Sequence, residues 1–204
     1  MLDRYRKKVD WFLEPIARKT GIGANTLTYI SLIFAFFASI SFYFSYEYHY
    51  LLFLASFMVL MNGFFDALDG KVARLKNEAS PKGDFIDHSI DRFADALIVG
   101  GLAASPWCTP VVGIAAVAAM LLTSYMGTQA QAVGYGREYG GLLGRADRLV
   151  ILVFAPLIQY FLSDFGIKIF DWSFMQWVMV YFAVVGIATA VQRFFAVLRW
   201  FGKK

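Results

Sequence analysis

Four aspartates stand at fixed spacing inside otherwise apolar sequence: Asp66 and Asp69 in DALDGKVAR, then Asp87 and Asp91 in GDFIDHSID. On insertion scales a carboxylate at the middle of a bilayer costs about 2.5–3.5 kcal/mol, so four unpaired ones would cost about 10–14 kcal/mol. Something cationic must meet them. On a helix Asp66 and Asp69 are i and i+3, and Asp87 and Asp91 are i and i+4, so each pair projects from one face. Two such helices aim four carboxylates at one point. An all-oxygen donor set of that kind suits a hard divalent ion, Mg²⁺ or Mn²⁺. A pair of surface helices with solvated acids is the plain alternative, but the apolar flanks leave little room for solvent.

The neighbouring residues extend the pattern toward a phosphate ligand. Gly70 and Ala73 lie on the turns after the first carboxylate pair, where a minimal side chain lets another helix or a flat ligand approach the backbone. Arg74 follows, with a planar fork suited to phosphate oxygens. Ser80-Pro81 breaks the helix, and Gly83 restarts the chain as the second acidic helix. Without a ligand, Gly70 and Ala73 reduce to packing positions and Arg74 to an anchor at the membrane edge. Asp84 suits the N-terminal end of a helix. Asp95, one turn past Asp91, can stand behind it, and His88 and Glu78 read as edge residues.

The elements that hold these residues follow from apolar runs near the 20 residues needed to cross about 30 Å of hydrocarbon. Such runs place helices at 25–47, 51–76, 84–106, 110–134, 146–164 and 173–200. With 59% hydrophobic residues and a mean hydropathy of +0.56 over 204 residues, the chain is too apolar for a soluble domain. It reads as one all-α integral membrane domain, 1–204, with a six-helix bundle over 25–200. Residues 1–20 form a basic amphipathic helix on the membrane surface, with Trp11, Phe12, Leu13 and Ile16 toward lipid. They lack the apolar core and small-residue cleavage site of a secretory signal. The single Cys108 excludes a disulfide framework.

Basic residues set the orientation. Arg4, Arg6, Lys7, Lys8, Arg18 and Lys19 precede the first span, and Lys71, Arg74, Lys76, Lys82 and Arg92 surround the turn between the second and third. Arg137, Arg145 and Arg148 follow the fourth, and Arg193, Arg199, Lys203 and Lys204 end the chain, against Lys168 alone on the other side. Eighteen against one puts both termini and the aspartates at the cytoplasmic face of a multi-pass cell-membrane protein. Topology and anionic headgroups explain the +4 net charge without a nucleic-acid partner.

The string Asp66, Asp69-Gly70, Ala73-Arg74, Gly83, Asp87, Asp91 resembles the signature of the CDP-alcohol phosphotransferases at every defined position, eight residues across 26. Asn25-Thr26-Leu27-Thr28 is similar to the family's NxxT element, and Gly144-Arg145 with Asp147-Arg148 to the opening of its fifth span. The resemblance implies a homodimeric enzyme in which an alcohol displaces CMP from a CDP-linked lipid, with two Mg²⁺ or Mn²⁺ ions per site. By residue, it implies that Asp66, Asp69, Asp87 and Asp91 hold the metals and that Asp91 also takes the acceptor proton. It assigns Asn25, Thr28, Gly70, Ala73, Arg74, Ser80 and Gly83 to the CDP-lipid. An ordinary carboxylate is a weak base for an alcohol, so the role of Asp91 rests on geometry and on the metal.

For the acceptor, Ser124, Thr128 and Gln131 follow i, i+4, i+7 spacing on the fourth span and can line a pocket or simply bond a neighbouring helix. Arg137, Arg145 and Arg148 can hold an acceptor phosphate. GRADR and the chain length look most like the inositol phosphate branch of the family. Members of that branch carry a basic residue in the fourth span where this chain has Gly127-Thr128-Gln129, which keeps glycerol 3-phosphate open as the acceptor. A divalent-cation transporter is the reading of another class. Transporters are expected to place carboxylates near the midplane, often on repeated or broken helices, and no repeat is visible here.

Overall fold

The computed structural model describes residues 6–203, which contain seven α-helices: α1 Arg6–Lys19, α2 Ala24–Phe44, α3 Leu51–Leu75, α4 Pro81–Ala104, α5 Pro110–Ala132, α6 Arg145–Asp164 and α7 Phe174–Phe201. Arg4 and Lys204 from the charge count, and the first five residues of the expected surface helix, lie outside the described residues. Helices α2, α3, α5, α6 and α7 are long and apolar enough to cross a membrane. The hydropathy of α4 is diluted by Lys82, Asp84, Asp87, Asp91, Arg92 and Asp95. The face that buries Asp91 and Asp95 continues toward the C-terminal end as an apolar stripe, packing inward through Ala94, Ile98, Val99 and Leu102.

Burial is inverted relative to a soluble bundle. On α2 the small residues Ser31, Ala35, Ala38 and Ser41 are buried while Ile33, Phe36, Phe37 and Ile40 are exposed. Hydrocarbon tails solvate large apolar side chains as well as a protein core does, so helices gain by bringing small faces together. Helix α2 packs against both α3 and α4, α5 packs against α4 and α7, and α6 packs against α3 and α7. Polar groups join neighbours where small residues let backbones close: Asn62 Nδ2 donates to Ser31 O at 2.9 Å, and Thr123 Oγ1 to Gly186 O at 2.8 Å. Ser56 donates to Val153 O across the α3–α6 contact.

Gly101 on α4 closes directly on the backbone of Ser39 on α2, where an added Cβ would sit 2.5 Å from the Ser39 carbonyl oxygen. Gly101→Val therefore overpacks a backbone contact and is expected to cost about 1–3 kcal/mol, read as a lower thermal midpoint in detergent. Gly100→Ala next door, whose Cβ would meet nothing within 4 Å, is expected to leave that midpoint unchanged or slightly raised. Equal effects from the two changes would show that the contact does not limit packing.

Two expectations are corrected. Leu13 does not face lipid: it is 2% exposed and clusters with Ala17, Leu27, Leu68 and Val72, with Ile16 packed against them. Trp11 and Phe12 are exposed, as expected. Docking of α1 on α3 turns one stripe of its apolar face inward. Glu14 ties the dock to α3 by pairing with Lys71 at 3.2 Å and also bonds Arg18 of its own helix at 2.7 Å, and these two cations hold its carboxyl below the usual range. The second acidic helix begins at Pro81 rather than near Gly83. Ser80 caps it by accepting from Gly83 N at 3.1 Å, and a proline at the first helical position is preorganised for that start.

Candidate metal and phosphate site

Helix α3 supplies Asp66 and Asp69, α4 supplies Asp87 and Asp91, and α2, packed on both, sets their separation. The i, i+3 and i, i+4 spacings turn each pair toward the same region. Asp66, Asp69 and Asp87 each offer a carboxylate oxygen within 4.8 Å of the others, and Asp87, His88 and Asp91 form an overlapping group at the same limit. Asp69 is buried and its Oδ2 accepts from Thr28 Oγ1 at 2.7 Å, which fixes that carboxylate on α2. Asp66 Oδ1 and Asp91 Oδ1 are both inaccessible to solvent and have no hydrogen-bond partner among the described residues. An all-oxygen trio with one unsatisfied buried carboxylate oxygen fits a hard divalent cation.

Helix α6 enters from the opposite side with two arginines. Arg145 reaches Asp66 Oδ2 through Nη1 at 2.7 Å and Asp91 Oδ1 through Nη2 at 2.8 Å, with Nε 3.5 Å from Asp95. Arg148, 3% exposed, bonds Asp95 Oδ2 at 2.8 Å. Arg92 adds longer pairs to Asp91 at 3.6 Å and Asp95 at 3.7 Å. Arg92, Arg145 and Arg148 thus stand against Asp66, Asp91 and Asp95, while Asp69 and Asp87 complete the carboxylate cluster.

Two cavities meet at this cluster. The first, of about 440 Å³, is lined by Asn25, Thr28, Asp69, Gly70, Ala73, Arg74, Ser80, Gly83 and Asp87, so all seven residues expected at the CDP-lipid share one wall system. Its rim is tied together by Glu78 Oε2, which accepts from Ala24 N at 3.0 Å, and by Lys76 Nζ, which donates to Ile22 O at 3.1 Å. The second, of about 640 Å³, is lined by Asp66, Asp91, Ser124, Arg137, Arg145 and Arg148, together with Arg92 and Arg193. Gln131 lines the first cavity, not the second. Thr128 is exposed and bonds back to Tyr125 O of its own helix at 3.0 Å, and it lines neither cavity. Arg137, Tyr139 and His88 line both.

Several of these residues were not singled out from sequence. Arg193 was counted only as a basic tail residue, yet it is 8% exposed and pins the α5–α6 loop, donating to Thr123 O at 2.6 Å, Gly140 O at 2.8 Å and Tyr139 O at 3.2 Å. The signal available was a lone charge inside the apolar run ATAVQRFFAV. Gly127 makes that arrangement possible, since a Cβ there would stand 2.8 Å from Glu138 O and 3.1 Å from Arg193 Nη1. His88, read as an edge residue, lies 2.9 Å from Asp84 and 3.5 Å from Asp87. Glu78, also read as an edge residue, caps α2 from another element, which local spacing does not reveal.

Residues 22–198 match the family model described as CDP-alcohol phosphatidyltransferase. The chain is 28% identical over 193 residues to the archaetidylinositol phosphate synthase of Methanothermobacter thermautotrophicus, covering 95% of this chain and 92% of that protein. It is 32% identical to the Pyrococcus horikoshii archaetidylinositol phosphate synthase over 78% of this chain and 84% of the relative. In fold it is similar to the phosphatidylinositol phosphate synthase of Mycobacterium tuberculosis solved with CDP-DAG bound, with a TM-score of 0.70, 24% identity and coverage of 91% and 92%. The same mycobacterial protein has been solved in complex with manganese and citrate, a structure that matches at a TM-score of 0.70.

Proposed function

The chain belongs to the CDP-alcohol phosphatidyltransferase family and is a multi-pass membrane enzyme of that kind, and we propose that it transfers a phosphatidyl or archaetidyl group from a CDP-linked lipid to inositol phosphate. The observation that carries this reading is the junction of two cavities at one carboxylate cluster, one bordered by Gly70, Ala73 and Arg74, the other by arginines. The named relatives are inositol phosphate lipid synthases, which supports the choice of acceptor.

In this reading α4 crosses the membrane as the sixth span of a single domain, and the aspartates face the cytoplasm, as the basic residues favour. The enzyme acts as a homodimer, as the family resemblance implies. Asp66, Asp69, Asp87 and Asp91 would hold two Mg²⁺ or Mn²⁺ ions, which supply charge neutralisation on the donor diphosphate. Gly70 and Ala73 leave room for the nucleotide beside α3, and Arg74 and the rim formed by Asn25, Ser80 and Gly83 orient it. Thr28 holds Asp69 in place. The acceptor hydroxyl attacks the phosphorus that bears the lipid. The bond from that phosphorus to the bridging oxygen breaks, CMP leaves with the electron pair, and Asp91 takes the hydroxyl proton. Ser124 and Arg137, with Arg145 and Arg148, border the space for the phosphorylated polyol; Gln131 serves from the nucleotide side, and Thr128 enters only with a change of side-chain direction.

Purified protein given CDP-lipid and a panel of alcohols tests the proposal. Inositol phosphate is expected to yield CMP and a phosphorylated lipid product by mass spectrometry, in preference to free inositol. A preference for glycerol 3-phosphate would move the acceptor assignment. Metal flux in proteoliposomes without CMP release would favour transport instead. Arg137→Gln is expected to raise the acceptor KM about tenfold or more and the CDP-lipid KM less, because a charge-assisted contact contributes about 1.5–3 kcal/mol. A variant that raises only the donor KM would assign Arg137 to the nucleotide.

A further inference from the structure

Asp95 is a buried carboxylate that the proposed chemistry leaves unused. It is 5% exposed and stands one turn past Asp91 on α4, but among the described residues it belongs to neither group able to share an ion, and it lines neither cavity. A charge held that far from water needs cations at hand. Three guanidinium groups supply them. Arg148 Nη2 bonds Asp95 Oδ2 at 2.8 Å, Arg145 Nε lies 3.5 Å from Oδ1, and Arg92 Nη1, one turn back on α4, lies 3.7 Å from Oδ2. All three arginines border the cavity of about 640 Å³, so Asp95 stands behind the wall that they form.

The same arginines have other partners of a different kind. Arg145 also reaches Asp66 and Asp91, and Arg92 also reaches Asp91. Asp66 and Asp91 each belong to a group able to hold a metal, and an ion bound there competes with a guanidinium for the same oxygens. Asp95 meets no such competitor. Arg145 and Arg148 stand at the start of α6, where the partial positive charge of the helix disfavours a cation, so an anion from another element is needed to settle them. Asp95 offers one from α4. Both side chains still have donors to give, since Arg145 Nε and Arg148 Nε are buried and make no hydrogen bond among the described residues. The other two arginines of this cavity are held elsewhere, Arg137 over the Tyr139 ring at 5.3 Å and Arg193 on the carbonyl oxygens of Thr123, Tyr139 and Gly140.

We infer that Asp95 is a positioning residue that holds Arg92, Arg145 and Arg148 in the wall of the second cavity, and so sets the affinity for the acceptor phosphate while metal ions occupy Asp66 and Asp91. The inference rests on the proposed phosphorylated acceptor and deepens it by naming the anion that arranges its arginines. Asp95 touches neither substrate nor ion. With its carboxylate in place, the guanidinium donors are fixed before the acceptor arrives, and binding does not have to order them. Without that charge, Arg148 loses its 2.8 Å partner and Arg145 is left to Asp66 and Asp91, on the metal side of the site.

Steady-state kinetics of the full-length protein in detergent, with Mn²⁺ present and each substrate varied in turn, separate this role from a structural one. Asp95→Asn, nearly the same size without the charge, is expected to raise the KM for inositol phosphate about tenfold or more while the KM for CDP-lipid changes by less than about threefold. Asp95→Glu keeps the charge and shifts it by one methylene, so its acceptor KM is expected to rise by less. Should the asparagine variant fail to fold, the glutamate variant supplies the readout, and its acceptor KM must still rise more than its CDP-lipid KM. An acceptor KM that stays level in the variants that fold overturns the positioning role, as does a rise shared equally by both substrates together with a lower thermal midpoint. Failure of the underlying reading looks different and shows before any variant is made: wild type would release CMP no faster with inositol phosphate than with free inositol.

Discussion

Asp66→Asn and Asp87→Asn are each expected to lower CMP release from a CDP-lipid by about three orders of magnitude, and chelation of wild type is expected to do the same until Mg²⁺ or Mn²⁺ is restored. The expectation comes from geometry. These two residues join α3 to α4 in the trio whose oxygens lie within 4.8 Å of one another, so each substitution removes a unit of ligand charge from the shared point. A divalent ion on a transferring phosphoryl group contributes several kcal/mol of charge stabilisation, and about 4 kcal/mol corresponds to about 10³ in rate. The two variants should differ in stability. Asp66→Asn also weakens the 2.7 Å pair with Arg145, leaving that guanidinium short of one half-buried partner, whereas Asp87 faces the His88 ring at 3.5 Å. Thermal melting should separate the loss of fold from the loss of catalysis. Full activity in chelated, dialysed wild-type protein would remove the metal from the mechanism.

The sequence revealed whatever depends on local period and length. Apolar runs near twenty residues placed the helices to within a few residues, because hydrocarbon thickness and helical rise leave little freedom. The i, i+3 and i, i+4 aspartates were legible for the same reason, and the seven residues expected at the CDP-lipid do border one cavity. Contacts between distant elements were less legible. Leu13 carries an apolar side chain that serves lipid or protein equally well, and only the docking of α1 on α3 decides between them. Charges at the membrane edge have the same ambiguity. Arg145, Arg148 and Arg193 satisfy the topological bias of basic residues, and nothing in their spacing tells that Arg145 forks across two aspartates, that Arg148 is buried on Asp95, or that Arg193 binds loop carbonyls. Ser80 has a double use that local sequence does show: it caps α4 and still borders the nucleotide-sized cavity.

Asp91→Asn is expected to separate binding from turnover. Asparagine keeps the size of the side chain and one carbonyl oxygen but cannot accept the acceptor proton, so the rate should fall by about 10² or more while CDP-lipid affinity stays within about tenfold. Loss of negative charge also loosens the fork that Arg145 makes at 2.8 Å, which leaves that guanidinium freer to meet an acceptor phosphate. Acceptor KM should therefore stay level or fall as kcat drops. A residue with a merely structural role would instead weaken both substrates together and lower the melting temperature. Asp91 lies deep in the site, 7% exposed and one turn before the Asp95 that carries Arg148, so a fold defect would show in that measurement. Single-turnover rates with saturating CDP-lipid give the decisive comparison. Normal turnover in the asparagine variant would take the proton-accepting role from Asp91, and His88, which borders both cavities, would become the residue to substitute next.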